Sequence, residues 1–123
     1  MAVTAGWDDI VDYIYIVRCE DTWTWAEFDA AIRTSFAELA ESDKTIDFMM
    51  CFNDNLPKGN AIYHLTVAGK QPPNFRHTVM VNQSGRFLEI VVKSADKARG
   101  WEGPTFVKTI EDGRDYLLKQ SNS

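Results

Sequence analysis

Two short polar segments in these 123 residues gather charged, amide and hydroxyl side chains of the kinds that could move a proton or hold a charged ligand. The first is Asn53-Asp54-Asn55-Leu56-Pro57-Lys58-Gly59-Asn60, which follows an apolar run of Ile46, Phe48, Met49, Met50, Cys51 and Phe52. The second is Asn82-Gln83-Ser84-Gly85-Arg86, followed by Phe87. A carboxylate at Asp54, cations at Lys58 and Arg86, and amide or hydroxyl groups at Asn53, Asn82 and Ser84 suit the binding of a small anion or a partner's carboxylate. Helix starts at these places would add unpaired N–H groups and a positive dipole end. The same residue types also cap helices and close turns with no ligand present. Acid–base chemistry at Asp54 needs a partner within hydrogen-bond reach, and the imidazoles are His64 and His77. His77 reads as the start of a strand, at the rim opposite Asp54, and His64 as a residue beyond the first turn of a helix. Neither a catalytic pair nor a two-histidine metal site is expected from that placement, and no cofactor is implied.

Both polar segments acquire meaning from the elements around them. Asp12 to Cys19 has apolar residues on both faces, as a central strand does, and a short strand over 2–7 precedes it across the Asp8-Asp9 turn. Thr24-Trp25-Ala26-Glu27 has the form of a capping box. Trp25, Phe28, Ile32, Phe36 and Leu39 then recur at steps of three and four, so a helix is predicted over 25–42. A buried strand over 45–52 follows. Pro57 occupies a helix-start position, where its missing N–H costs nothing, and Ile62, Leu65 and Ala68 give the second helix a buried stripe that Gly69 stops. Gln71-Pro72-Pro73-Asn74 leads extended into a strand over 77–81.

Residues 87–98 support two readings. Ile90, Val91 and Val92 favour the second arm of a hairpin, whereas Phe87, Ile90, Val91, Ala95 and Ala98 trace one face of a helix that Gly100 would end. The helix is the preferred reading. A last strand over 104–108 and a helix opened by Thr109-Ile110-Glu111-Asp112 complete the chain. Strands alternating with helices imply right-handed crossovers, so the expected fold is α/β: one domain, with a mixed, mainly parallel sheet of about five strands and about four helices.

Bulk properties narrow the function classes. A net charge of −5 with scattered Lys and Arg argues against general nucleic-acid binding. The amino-terminal residues carry neither a basic segment nor a long apolar run, so no membrane association is expected and the predicted compartment is the cytoplasm. Cys19 and Cys51 fall in predicted strands without a C-x-x-C pairing and read as reduced core thiols. Trp25 belongs to the core stripe. Trp23, two residues earlier, either packs as a staple or stays exposed as a partner's anchor. Asp8-Asp9, Glu20-Asp21 and Glu111-Asp112 read as turn and cap residues.

The element order resembles the STAS fold of anti-sigma-factor antagonists, and several local patterns are similar to small bacterial STAS-like single-domain proteins. These are Trp23-Thr24-Trp25-Ala26-Glu27-Phe28, Ile46-Asp47-Phe48 leading to Asp54 and Pro57, Pro73-Asn74 before Val79-Met80-Val81, and Phe106-Val107-Lys108-Thr109-Ile110-Glu111. In phosphoswitched members of that family, the loop after the equivalent strand presents a serine to a kinase. The loop at 53–60 has no Ser or Thr, so the usual switch looks absent. Gly113 stands where the small-protein group tends to have alanine, and would weaken a helix interior by ~1 kcal/mol.

The resemblance implies a non-enzymatic interaction or regulatory module that meets a protein partner, or itself, through 53–59 and 84–91. A second reading is a binder of a small anion or lipid-like ligand, with an apolar floor of Met49, Phe52, Phe87 and Val91. A third is an enzyme using Asp54 and Arg86.

Overall fold

Ile14-Tyr15-Ile16-Val17 presents β-branched and aromatic side chains to both sides, an arrangement that is stable only when both sides are covered. In the computed structural model, which describes residues 2–59, 61–85 and 105–121, this run lies in β2 (Ile14–Cys19). It is the second strand of a five-stranded sheet ordered β1-β2-β3-β4-β5. β1 (Val3–Trp7) pairs antiparallel with β2. The strands β3 (Ile46–Phe52), β4 (Phe75–Asn82) and β5 (Thr105–Val107) are added in parallel. The α/β class and the mixed, mainly parallel sheet agree with the sequence reading. Three helices are described: α1 (Trp25–Leu39), α2 (Ala61–Ala68) and α3 (Ile110–Ser121). The fourth, expected over 87–98, and its hairpin alternative both lie outside the described residues. No described helix is long and apolar enough to cross a membrane.

Successive right-handed crossovers stepping the same way along a sheet place their helices on one face. Accordingly, Phe28, Ile32 and Leu39 of α1 join Leu65 and Ala68 of α2 above Val17, Phe48, Met50 and Met80. The other face carries Ile14, Ile16, Met49 and Val79 beneath Leu117 of α3. Each fully buried large side chain contributes roughly 1.5–3 kcal/mol of transfer free energy.

Local signals explain where the helices begin and end. Both arms of the Thr24–Glu27 capping box are made: Thr24 Oγ1 accepts from Glu27 N, and Glu27 Oε1 accepts from Thr24 N, each at 3.1 Å. α1 ends at Leu39, earlier than expected, because the side chain of Asn74 caps it by donating from Nδ2 to Leu39 O at 2.8 Å. α2 starts at Ala61 and not at Pro57. The Pro57 carbonyl instead accepts from Trp25 Nε1 at 3.3 Å, and Gly59 follows at φ +128°, with Trp25 Cδ1 only 3.3 Å from where a Cβ would sit. The Trp25 ring thus holds that stretch out of the helix.

β4 begins at Phe75, so His77 is its third residue, and it carries one extra residue relative to β3. Ile46 pairs with Phe75 and Phe48 with Thr78, so Arg76 and His77 together oppose Asp47. This bulge re-aims the Arg76 guanidinium, which grips the fully buried Asp47 carboxylate with two bonds of 3.1 and 3.0 Å.

α3 is fastened in two ways. Gly113 is buried against the sheet, and a Cβ there would lie 2.9 Å from Met49 Cε and 3.4 Å from Val79 Cγ1. It is therefore a close-approach glycine, not merely a weak point of the helix. One residue on, Arg114 donates to both oxygens of Asp8, at 2.9 and 2.7 Å, tying α3 to the β1–β2 turn. Asp8 also accepts from Val11 N at 2.9 Å. The Arg114 hydrogen bond is the main reason its carboxyl is lowered from 3.8 to about 2, with burial opposing. Asp8, read from the sequence as a turn residue, is thus an ion-pair anchor.

Two outcomes follow for stability. Gly113→Val is expected to lose about 1–3 kcal/mol in urea unfolding despite leaving a poor helix former, because the branched side chain must displace Met49 and Val79. A variant as stable as the parent would refute the close approach. The lowered Asp8 carboxyl stabilises the folded state above its unfolded value of 3.8, and this contribution is lost as the pH falls through about 2. Arg114→Ala should cost roughly 3–5 kcal/mol at neutral pH by stranding a buried carboxylate. The deficit should shrink on acidification, as read by melts between these limits.

Candidate functional site

Parallel strands end at a common edge, so the loops that leave them meet. Cys19, Phe52 and Asn82, the last residues of β2, β3 and β4, stand side by side in register. That register brings the two polar segments together. Asn82, itself buried, donates from Nδ2 to Phe52 O at 2.9 Å and to Asp54 Oδ1 at 3.3 Å. Ser84 gives its hydroxyl proton to the same Asp54 oxygen at 2.6 Å, a length typical of a bond to a charged acceptor. The Asn82 side-chain oxygen also receives Gly85 N, and Gly85 turns the chain away at φ +72°.

Asn53 is committed inward. Its Oδ1 accepts from Trp23 Nε1 at 2.8 Å and from Asn55 N at 3.1 Å, while its Nδ2 donates to Asp21 O at 2.8 Å. Asn55 Nδ2 donates to that same carbonyl at 3.0 Å. These bonds hold Asp21 at φ +54°, an uncommon conformation for a non-glycine residue, and staple the β2–α1 connection to the β3–α2 loop. Trp23 is 2% exposed and packs edge-on against Trp25, with ring centroids 5.0 Å apart, so it is core and not an exposed anchor.

Asp54, Lys58 and Ser84 are the candidate site residues left exposed. Lys58 makes no hydrogen bond or ion pair among the described residues. Asn53 and Asn82 build the frame beneath them, and Arg86 and Phe87 lie outside the described residues. The expected apolar floor does not assemble. Met49 packs on the α3 face and Phe52 on the α1 face of the sheet, as the alternation of a strand requires; Phe87 and Val91 lie outside the described residues.

Neither histidine reaches Asp54. His77 sits near the beginning of β4, at the far end of the strand. His64 bonds through Nδ1 to Asp29 Oδ1 at 2.9 Å and stacks on Trp25, with 4.8 Å between ring centroids and 5° between planes. This pairing of α1 with α2 spans 35 residues and has no signature in local spacing. Cys19 and Cys51 occupy adjacent strands but face opposite sides of the sheet, and both are free thiols. Burial pushes both thiols up, Cys51 to about 12, so neither is a ready nucleophile. Among the described residues, no cluster of three or more His, Cys, Asp or Glu side chains is placed to hold a metal ion.

No protein-family model matches the chain, and comparison with curated proteins and with solved structures finds no significant match.

Asn53→Ala tests the frame. It strands the buried Trp23 N–H and is expected to cost about 1–3 kcal/mol. Ser84→Ala, at an exposed bond, should change stability by less than about 1 kcal/mol. Equal losses in chemical denaturation would place the frame elsewhere.

Proposed function

We propose that the chain is a non-enzymatic, STAS-like interaction module of the cytoplasm that engages a protein partner through the rim at the carboxyl ends of β3 and β4. One observation carries this reading: an exposed carboxylate and hydroxyl, Asp54 and Ser84, are fixed to each other at 2.6 Å over a buried amide, and the exposed Lys58 of the same loop has no ion-pair partner among the described residues. Charges held by a rigid second layer lose little freedom on binding and suit partner discrimination. The commitment of His64 to Asp29 supports a recognition role for Asp54 over an acid–base role. The sheet order and the helix pair on one face also fit the STAS resemblance carried by the local sequence patterns. The lack of a hydroxyl residue in 53–60 sets this rim apart from the phosphoswitched form of that fold.

The test is affinity capture from an extract of the source organism with the full chain as bait, quantified by mass spectrometry. Asp54→Arg and Lys58→Glu are expected to lower capture of the specific partner by at least about tenfold. Their melting temperatures should stay near that of the parent, and Ile10→Asp, at an exposed turn, should retain capture. An unchanged set of captured proteins in both rim variants would sink the proposal. So would an enzymatic turnover that Asp54→Asn abolishes while the fold persists.

A further inference from the structure

A second feature lies between the two helices that share a face of the sheet. Phe28, Ile32 and Phe36, spaced at four along α1, line a groove of about 320 Å³; Phe28 and Ile32 are buried beneath it and Phe36 is half-buried. Its α2 wall carries Tyr63 and Val67, one helical turn apart and 59% and 39% exposed. Large hydrophobic side chains that exposed are few among the described residues, and an eight-residue helix that turns two of them toward one groove leaves apolar surface for a ligand to cover.

The charges around the groove are unbalanced. Arg33 and Lys70 line it and form no side-chain hydrogen bond or ion pair among the described residues, unlike Arg76 and Arg114 with their bidentate carboxylates. The acid at the groove, Asp29, is occupied by His64, which lies 2.8 Å from its Oδ2 and is held against Trp25. In a chain of net charge −5, the uncommitted charges of this groove are therefore positive. Volume limits the guest. At ~30 Å³ per water-sized group the groove holds about ten such groups, near the lower end of ligand sites.

We propose that the α1–α2 groove binds a small amphipathic monocarboxylate, a medium-length acyl chain whose body lies against Phe36, Tyr63 and Val67, above the buried Phe28 and Ile32, and whose carboxylate meets Arg33 and Lys70. This site is separate from the rim of Asp54 and Ser84 and does not depend on the role assigned there.

Decanoate is the probe, with 1-decanol and decylamine as neutral and cationic counterparts, in calorimetric titration and thermal melts of the full chain. Decanoate should bind saturably and raise the melting temperature, with both counterparts at least about tenfold weaker. Arg33→Glu with Lys70→Glu should weaken decanoate by at least about tenfold, whereas Asp54→Arg should leave it unchanged. If the charge reversal unfolds the chain, Arg33→Gln with Lys70→Gln serves the same purpose. Absence of saturable binding up to about 1 mM, the weak end of ligand recognition, would overturn the proposal. So would equal binding of decanol, or full binding by the charge variants. Concentration-dependent dimerisation that Tyr63→Glu abolishes, without any decanoate heat, would assign the groove to a second copy of the chain and also overturn it.

Discussion

Burial of β3 on both faces is the constraint on which the rest of the structure depends. Six of its seven residues are buried, and the remaining one, Cys51, is only partly exposed. A strand with no wet side needs helices above and below, and parallel neighbours on both edges supply the crossovers that deliver those helices. The same constraint makes Asp47 costly, since a carboxylate in that layer has no access to water. The extra residue of β4 answers this by bringing the Arg76 guanidinium onto both oxygens. Removing Arg76 would strand the buried Asp47 carboxylate, whereas Arg76, with its side chain 35% exposed, could turn to solvent; the pair fixes the register of β4 on β3 more than it adds net stability.

Register at the start of the strands determines geometry at their ends. After the bulge, β3 and β4 run in step to Phe52 and Asn82, and that step puts the Asn82 amide beneath Asp54. A slip of one residue would turn Asn82 to the opposite face and separate Asp54 from Ser84. The polar rim is therefore a consequence of core packing several residues away. Its outermost bond, from Ser84 to Asp54, is exposed and contributes little to holding the sheet together.

Much of this was legible in the sequence. Strand and helix positions followed from apolar periodicity, and the Thr24-x-x-Glu27 spacing identified a capping box whose two bonds are both present. The meeting of 53–54 with 82–84 followed from parallel topology. What escaped was set by partners distant along the chain. Asp8 and Asp9 look alike as a turn, yet only Asp8 meets an arginine, 106 residues later. His64 and Asp29 are joined by the packing of two helices. Pro57 carried a real helix-start signal that the Trp25 side chain overrode by taking its carbonyl. Gly113 looked like a defect in helix propensity because propensity ignores the distance from a helix to the sheet beneath it.

The distribution of charge along the strands separates two tasks. At the amino ends of the parallel strands, Asp47–Arg76 and Asp8–Arg114 are bidentate, and both carboxylates are withdrawn from water. Lys44 also spends its charge there, 4.6 Å from the centre of the Trp7 ring. These groups have little left to offer a ligand. At the carboxyl ends, buried amides do the structural work, and Asp54 and Lys58 keep their charges in solvent. An amide can satisfy a carbonyl and a carboxylate at once without adding charge, as Asn82 does, so the frame does not neutralise what it supports. An arginine in place of Asn82 would hold Asp54 more tightly and cancel it. The choice of amides under the rim is thus what leaves the fixed Asp54 carboxylate without a counter-charge in the frame beneath it.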